Sequence, residues 1–224
     1  MKNIRFYIDL ITEGPQDRGN NMAIFLMGSP GSGKDYMAKL ILGLENRITP
    51  SGLTEINLDR YVDPKLNAMT KAKTLPTDKA EYDKVVDQLH KKSWGPIQSL
   101  TDTQLALNKG LILNYTGSNR SAMMGIKNDL ESKGYKTAAL YVISSLEAAH
   151  ARNKSRPRAI SAEVLTDKWY DVNGNIQYFS GEFHPHFYQI VNDVDFEKGN
   201  PAAIKIKLQQ VEDLRKKFNR FLQS

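Results

Sequence analysis

Met22-Ala-Ile-Phe-Leu-Met-Gly28-Ser-Pro-Gly-Ser-Gly-Lys34-Asp35 is the stretch that decides how this chain folds. Its first six residues are all apolar, which suits a strand buried on both faces. They run without a break into Gly28–Lys34, which matches the GxxxxGK pattern of a phosphate-binding loop. A helical pattern over 34–44 leaves directly from Lys34. Glycines let successive backbone N–H groups turn inward and form a nest for an anion. The helix behind them presents its positive N-terminal end to the same anion, and a lysine at this position reaches the β- and γ-phosphates. The expected nucleotide contacts are Gly28, Ser29, Pro30, Gly31, Ser32, Gly33, Lys34 and Asp35. The bare spacing recurs by chance, and a Gly-rich turn can bind nothing. The strand before it and the helix after it set this loop apart.

Outward from the loop, four more strands are expected, at 53–58, 111–115, 138–143 and 187–191. Helical patterns lie between them, so the chain reads as an α/β domain around a mainly parallel sheet. One helix starts at Asp78, spaced with Glu81 as a capping box, and runs to Lys92. A second covers 97–109 and a third 121–133. Gly110 and Gly134 follow these two as left-handed exits. Ser145 caps another helix. The last helix has Asn200 as cap and Pro201 at its first position. Its Ile204, Leu208, Val211, Leu214, Phe218 and Phe221 form one apolar stripe for the core.

Residues 1–13 place Ile4, Tyr7, Ile8 and Ile11 at helical spacing. The polar stretch from Gly14 to Asn21 reads as a linker. The expected organisation is therefore 1–21 as an appended segment and 22–224 as the domain. The 224 residues carry a net charge of +6, with 40% hydrophobic and 25% charged residues, an ordinary globular composition. No stretch approaches a membrane span, and no apolar signal core opens the chain. There is no cysteine, which removes disulfides, thiolate metal sites and thiol nucleophiles. The four histidines show no zinc spacing. These features fit a cytoplasmic protein.

Ligands of an open α/β sheet sit at the carboxyl ends of its strands. Asp59, after Ile56-Asn-Leu, therefore faces the site and can accept a proton from an attacking hydroxyl. An Asp that caps a turn or helix fits the same position. Arg60 and Asp63 are weaker candidates for this rim. Asp35 stands where the loop usually has Ser or Thr touching Mg²⁺. Its carboxylate can ligate Mg²⁺ directly or through water, or it can repel the phosphates. Asn114 ends the third strand, where a Walker-B carboxylate would help hold Mg²⁺. It carries no charge, which argues against a motor-type ATPase. Thr116 fits a substrate contact or a structural role. Trp94 and Trp169 read as core or interface residues.

Several stretches together resemble zeta-toxin-like and polynucleotide-kinase-like P-loop kinases, especially the versions in large tailed bacteriophages. They are GSPGSGKD at 28–35, INLD at 56–59, LILNYTG at 111–117, and ARNKSRPR at 151–158 followed by a helix and Trp169. The GKD loop also resembles those of deoxynucleoside monophosphate and phosphomevalonate kinases. The resemblance covers 22–192. It implies sheet order 2-3-1-4-5, ATP and Mg²⁺ as cofactors, and catalytic roles for Lys34, Asp59, Arg152, Arg156 and Arg158. The three arginines would belong to a lid that closes over the transferring phosphoryl group. Asp35 and Asn114 depart from the family pattern. Ile11-Thr-Glu13 before Gly14 is similar to sites cut by phage head-maturation proteases, which implies virion association through 1–13. A surface helix with a linker fits those residues too.

Three functions stand open at this stage. The first is transfer of the γ-phosphate of ATP to a hydroxyl of a nucleotide, nucleotide-sugar or nucleic-acid 5′ end. The second is a non-catalytic P-loop protein for binding or assembly, including in a virion. The third is a nucleic-acid module using Lys65, Lys71, Lys73, Lys91 and Lys92.

Overall fold

The computed structural model describes residues 20–76, 78–155, 159–194 and 199–224. The amphipathic stretch over 1–13, nearly all of the linker, and the expected lid residues Arg156 and Arg158 lie outside them. Five parallel strands form one sheet: β1 (Met22–Met27), β2 (Thr54–Ile56), β3 (Leu111–Asn114), β4 (Lys136–Ile143) and β5 (Phe187–Val191). Their order is β2-β3-β1-β4-β5, as expected. The apolar run that forms β1 is buried along its whole length. It pairs with β3 on one side and β4 on the other. The chain therefore reverses its winding direction at β1, and a crevice opens at that strand's carboxyl end.

Helices cover both faces of the sheet. They are α1 (Lys34–Leu42), α2 (Asp59–Lys71), α3 (Lys79–Ala106), α4 (Arg120–Ser132), α5 (Leu146–Lys154), α6 (Ala162–Asn173), α7 (Ile176–Glu182) and α8 (Pro201–Phe221). On one face Ile24, Leu26, Ile112, Leu140 and Val142 pack against Met37 and Ile41 of α1 and Val211, Leu214, Phe218 and Phe221 of α8. On the other, Phe25, Met27, Leu113 and Tyr141 meet Ile97 of α3, Met123 and Leu130 of α4, and Phe179 of α7. Each fully buried side chain of this size contributes about 1.5–3 kcal/mol. The α8 stripe packs as its spacing predicts, with Ile204 and Leu208 partly covered. Asp78, Ser145 and Asn200 all cap their helices by accepting a backbone N–H bond.

Three expectations are corrected. The helices expected over 78–92 and 97–109 are one helix, α3, which continues through Gly95 and Pro96. A proline in a helix costs one hydrogen bond and a local clash. Here the buried Ser93 and Ile97 hold the helix on either side of it. Gly110 is not the left-handed exit of α3. That conformation falls on Asn108, at φ +53°, whereas Gly134 takes φ +84° after α4 as expected. The strand expected over 53–58 ends at Ile56, and the chain turns into α2 at Asp59. Asn57 Oδ1 accepts the Asp59 N–H at 3.0 Å, which starts that turn. Pro64 lies inside α2 and cannot bond the Arg60 carbonyl. The Arg47 guanidinium donates to that oxygen instead, at 3.3 Å.

Candidate active site

The phosphate loop joins β1 to α1 at the crevice. Gly31 and Gly33 take φ of +79° and +77°, a left-handed conformation that only glycine holds without strain. Neighbouring groups leave no room for a side chain there. A Cβ on Gly31 would stand 2.6 Å from the Ala149 carbonyl oxygen, and one on Gly33 would stand 2.4 Å from Asn192 Nδ2. Gly28 donates its N–H to the Thr116 carbonyl at 3.2 Å, which ties the loop's start to the end of β3. Ser32 N–H closes onto the Ser29 carbonyl at 3.0 Å. Among the described residues, the buried Ser29 and Ser32 hydroxyls have no hydrogen-bond partner. Orphan hydroxyls, a glycine-lined turn and a following helix start fit a phosphate group.

Beside the loop lies a polar cluster whose centre was not foreseen. Glu55 of β2 is buried on the α1 face of the sheet, with a side chain that is 0% exposed. Its carboxylate accepts from Asn57 Nδ2 at 2.9 Å, Asn114 Nδ2 at 2.8 Å and Arg60 Nε at 3.0 Å. Asn114 Nδ2 also donates to Asp35 Oδ1 at 2.8 Å. The uncharged Asn114 therefore sits between two carboxylates and bonds both. Asp35, at the first turn of α1, keeps an exposed side and is the oxygen donor that fits Mg²⁺. Arg60, a rim candidate by sequence, is the charge partner of Glu55.

Asp59 is exposed in the first turn of α2, at the carboxyl end of β2. Asp63 follows one turn later on the same helix. A cavity of about 560 Å³ lies between α3 and α4 and reaches Thr116, Gly117, Ser118 and Asn119 after β3. Trp94, Gln98, Tyr115, Met123 and Ile126 line it. Trp94 is half exposed at this cavity, so it is not a core residue. Burial pushes the Tyr115 hydroxyl in the cavity wall above its ordinary pKa. Trp169 is half-buried and donates Nε1–H to the Ser144 carbonyl at 2.8 Å.

Of the expected arginines, Arg152 on α5 is described. Its Nη1 donates to the carbonyls of Gly31 and Ser32, each at 3.3 Å. Asn192, just after β5, donates Nδ2–H to the same Ser32 carbonyl at 2.8 Å. Sequence reading passed over Glu55 and Asn192. A lone charged residue in the strand Thr54-Glu55-Ile56, and a polar residue at the carboxyl end of β5, were the signals available.

The zeta toxin family model matches residues 8–200. None of the curated proteins matches the chain. Among solved structures, one from the PezAT chromosomal toxin–antitoxin system of Streptococcus pneumoniae is similar. It is 14% identical over 98% of this chain and 92% of that one, with a TM-score of 0.55. The native AvrRxo1-ORF1:-ORF2 complex is similar at 12% identity, over 94% of this chain and 78% of that one, with a TM-score of 0.59. The same pair solved with ATP gives 14% identity, 88% and 64% coverage, and a TM-score of 0.57. At these identities the structural likeness concerns the fold.

Proposed function

Because the chain belongs to the zeta toxin family, we propose that it is a P-loop kinase. In this reading it moves the γ-phosphate of ATP to a hydroxyl of a nucleotide, nucleotide-sugar or nucleic-acid 5′ end. The observation that carries it is the loop between β1 and α1, with its left-handed glycines and orphan serine hydroxyls at the sheet's switch point. ATP would supply the phosphoryl group. Loop amides of Gly31, Gly33 and Lys34 hold its phosphates, and the Lys34 ammonium offsets their charge. Asp35, oriented by Asn114, would hold Mg²⁺, which would supply positive charge to the phosphates. The cavity beside Thr116–Asn119 is the space for the acceptor. Asp59 takes the proton from the acceptor hydroxyl as its oxygen attacks. Arg156 and Arg158, outside the described residues, would stabilise the charge of the transferring phosphoryl group.

Calorimetric titration of ATP into the parent chain and Lys34→Ala tests the reading. ATP affinity should fall sharply in the variant, and equal affinity in both would refute it. A screen of hydroxyl acceptors with labelled ATP then identifies the substrate. One observation favours a second reading, a binding protein without turnover: the negative charge sits on Asp35 of the loop instead of at Asn114. Tight ATP binding with no transfer to any acceptor would select it.

A further inference from the structure

We infer that Arg152 and Asn192 are positioning residues that clamp the outer side of the phosphate loop and hold it ready for the nucleotide's β-phosphate. This rests on the P-loop reading above but gives Arg152 a different task from a lid arginine. The peptide unit is planar. Fixing the Ser32 carbonyl outward therefore aims the Gly33 N–H the opposite way, toward the anion side of the loop. Two donors converge on that one carbonyl, Asn192 Nδ2 at 2.8 Å and Arg152 Nη1 at 3.3 Å. Arg152 Nη1 also reaches the Gly31 carbonyl at 3.3 Å. The fit allows no slack, since Asn192 Nδ2 occupies the space that a Gly33 Cβ would need.

The clamp is itself anchored. Asn192 is buried and its N–H donates to the Ile143 carbonyl at 2.6 Å, at the paired ends of β4 and β5. Behind it, the buried Lys207 of α8 donates to the Val191 carbonyl and, at 2.7 Å, to Gln210 Oε1. Burial holds the Lys207 pKa below the usual lysine range, with Asp193 opposing. A buried lysine is rarely kept without a task; here it fixes the residue before Asn192. The loop's shape is thus imposed by α5, β5 and α8, which all follow it in sequence. Preorganised amides need no rearrangement when phosphate arrives.

ADP separates this role from transition-state stabilisation, because ADP has no γ-phosphate. Asn192→Ala should weaken ADP and ATP binding by the same factor, about five- to tenfold. Arg152→Ala should weaken both by about ten- to a hundredfold. Arg152→Lys, which keeps a donor and the charge, should recover part of the loss. Hydrogen exchange at the Ser32 amide, which is bonded to the Ser29 carbonyl at 3.0 Å, should quicken in nucleotide-free Asn192→Ala and Arg152→Ala. Unchanged ADP affinity with slowed turnover in Arg152→Ala would overturn the clamp in favour of a lid role. Unchanged exchange at Ser32 in folded Asn192→Ala would overturn it outright. If the parent chain binds no ADP, the nucleotide reading fails, and Ser32 exchange still decides the clamp.

Discussion

Asn114→Asp restores the carboxylate usual at the end of this strand, and the structure predicts that the restoration is costly. Asn114 Nδ2 donates to Asp35 Oδ1 and Glu55 Oε1, both at 2.8 Å. The substitution removes both bonds and adds a third carboxylate. A hydrogen bond to a charged group contributes about 1.5–3 kcal/mol. Asp35 has an exposed side, so its share is at the low end. Glu55 is fully buried and would keep only Asn57 and Arg60 as donors. The added buried charge is left uncompensated, which costs about 3–5 kcal/mol. For a chain of this size, each kcal/mol shifts the melting temperature by about 2–4 °C. The expected fall is therefore roughly 6–20 °C in EDTA, read by thermal denaturation. Asn114→Ala loses the donors without the added charge and should fall about half as far. Mg²⁺ with ATP should recover part of the loss in Asn114→Asp, since a cation replaces the missing donor. A variant melting within about 2 °C of the parent in EDTA would refute the reasoning. So would a larger fall in Asn114→Ala.

Two other expectations follow from the same geometry. Asp59→Asn should lower turnover by about 10²–10⁴-fold, the usual range for a general base, with nearly unchanged ATP affinity and stability; steady-state kinetics with full activity would remove Asp59 from that role. Phe218→Ala empties a site that is 1% exposed, where the ring meets Tyr188 at 4.6 Å between centroids. It should cost about 3–5 kcal/mol, measured as a lower urea midpoint.

Local chemistry is legible in one dimension wherever neighbours in sequence do the work. Met22–Met27 is apolar throughout and became the buried central strand. Gly28–Lys34 carries its own turn conformations, so the tight turn between strand and helix could be read directly. Asp78, Ser145 and Asn200 bond N–H groups two or three residues ahead, and they cap as expected. The stripe on α8 repeats every three or four residues because one helix face repeats that way. Where a preference was weak, packing decided. Two helices are expected over 78–92 and 97–109, yet tertiary contacts around Ser93 and Ile97 carry α3 through the gap between them.

The environment of the site belongs to the tertiary structure. Glu55, Asn114 and Asp35 are separated by 59 and 79 residues and meet only because β2, β3 and β1 lie side by side. Arg152 and Asn192 reach the loop across 120 and 160 residues. No periodicity or spacing records such contacts, since they depend on strand order and helix docking. The sequence by itself determined that a glycine-rich GxxxxGK loop sits between a buried strand and a helix. The fold alone decided which distant side chains surround that loop, because burial and pairing bring them there.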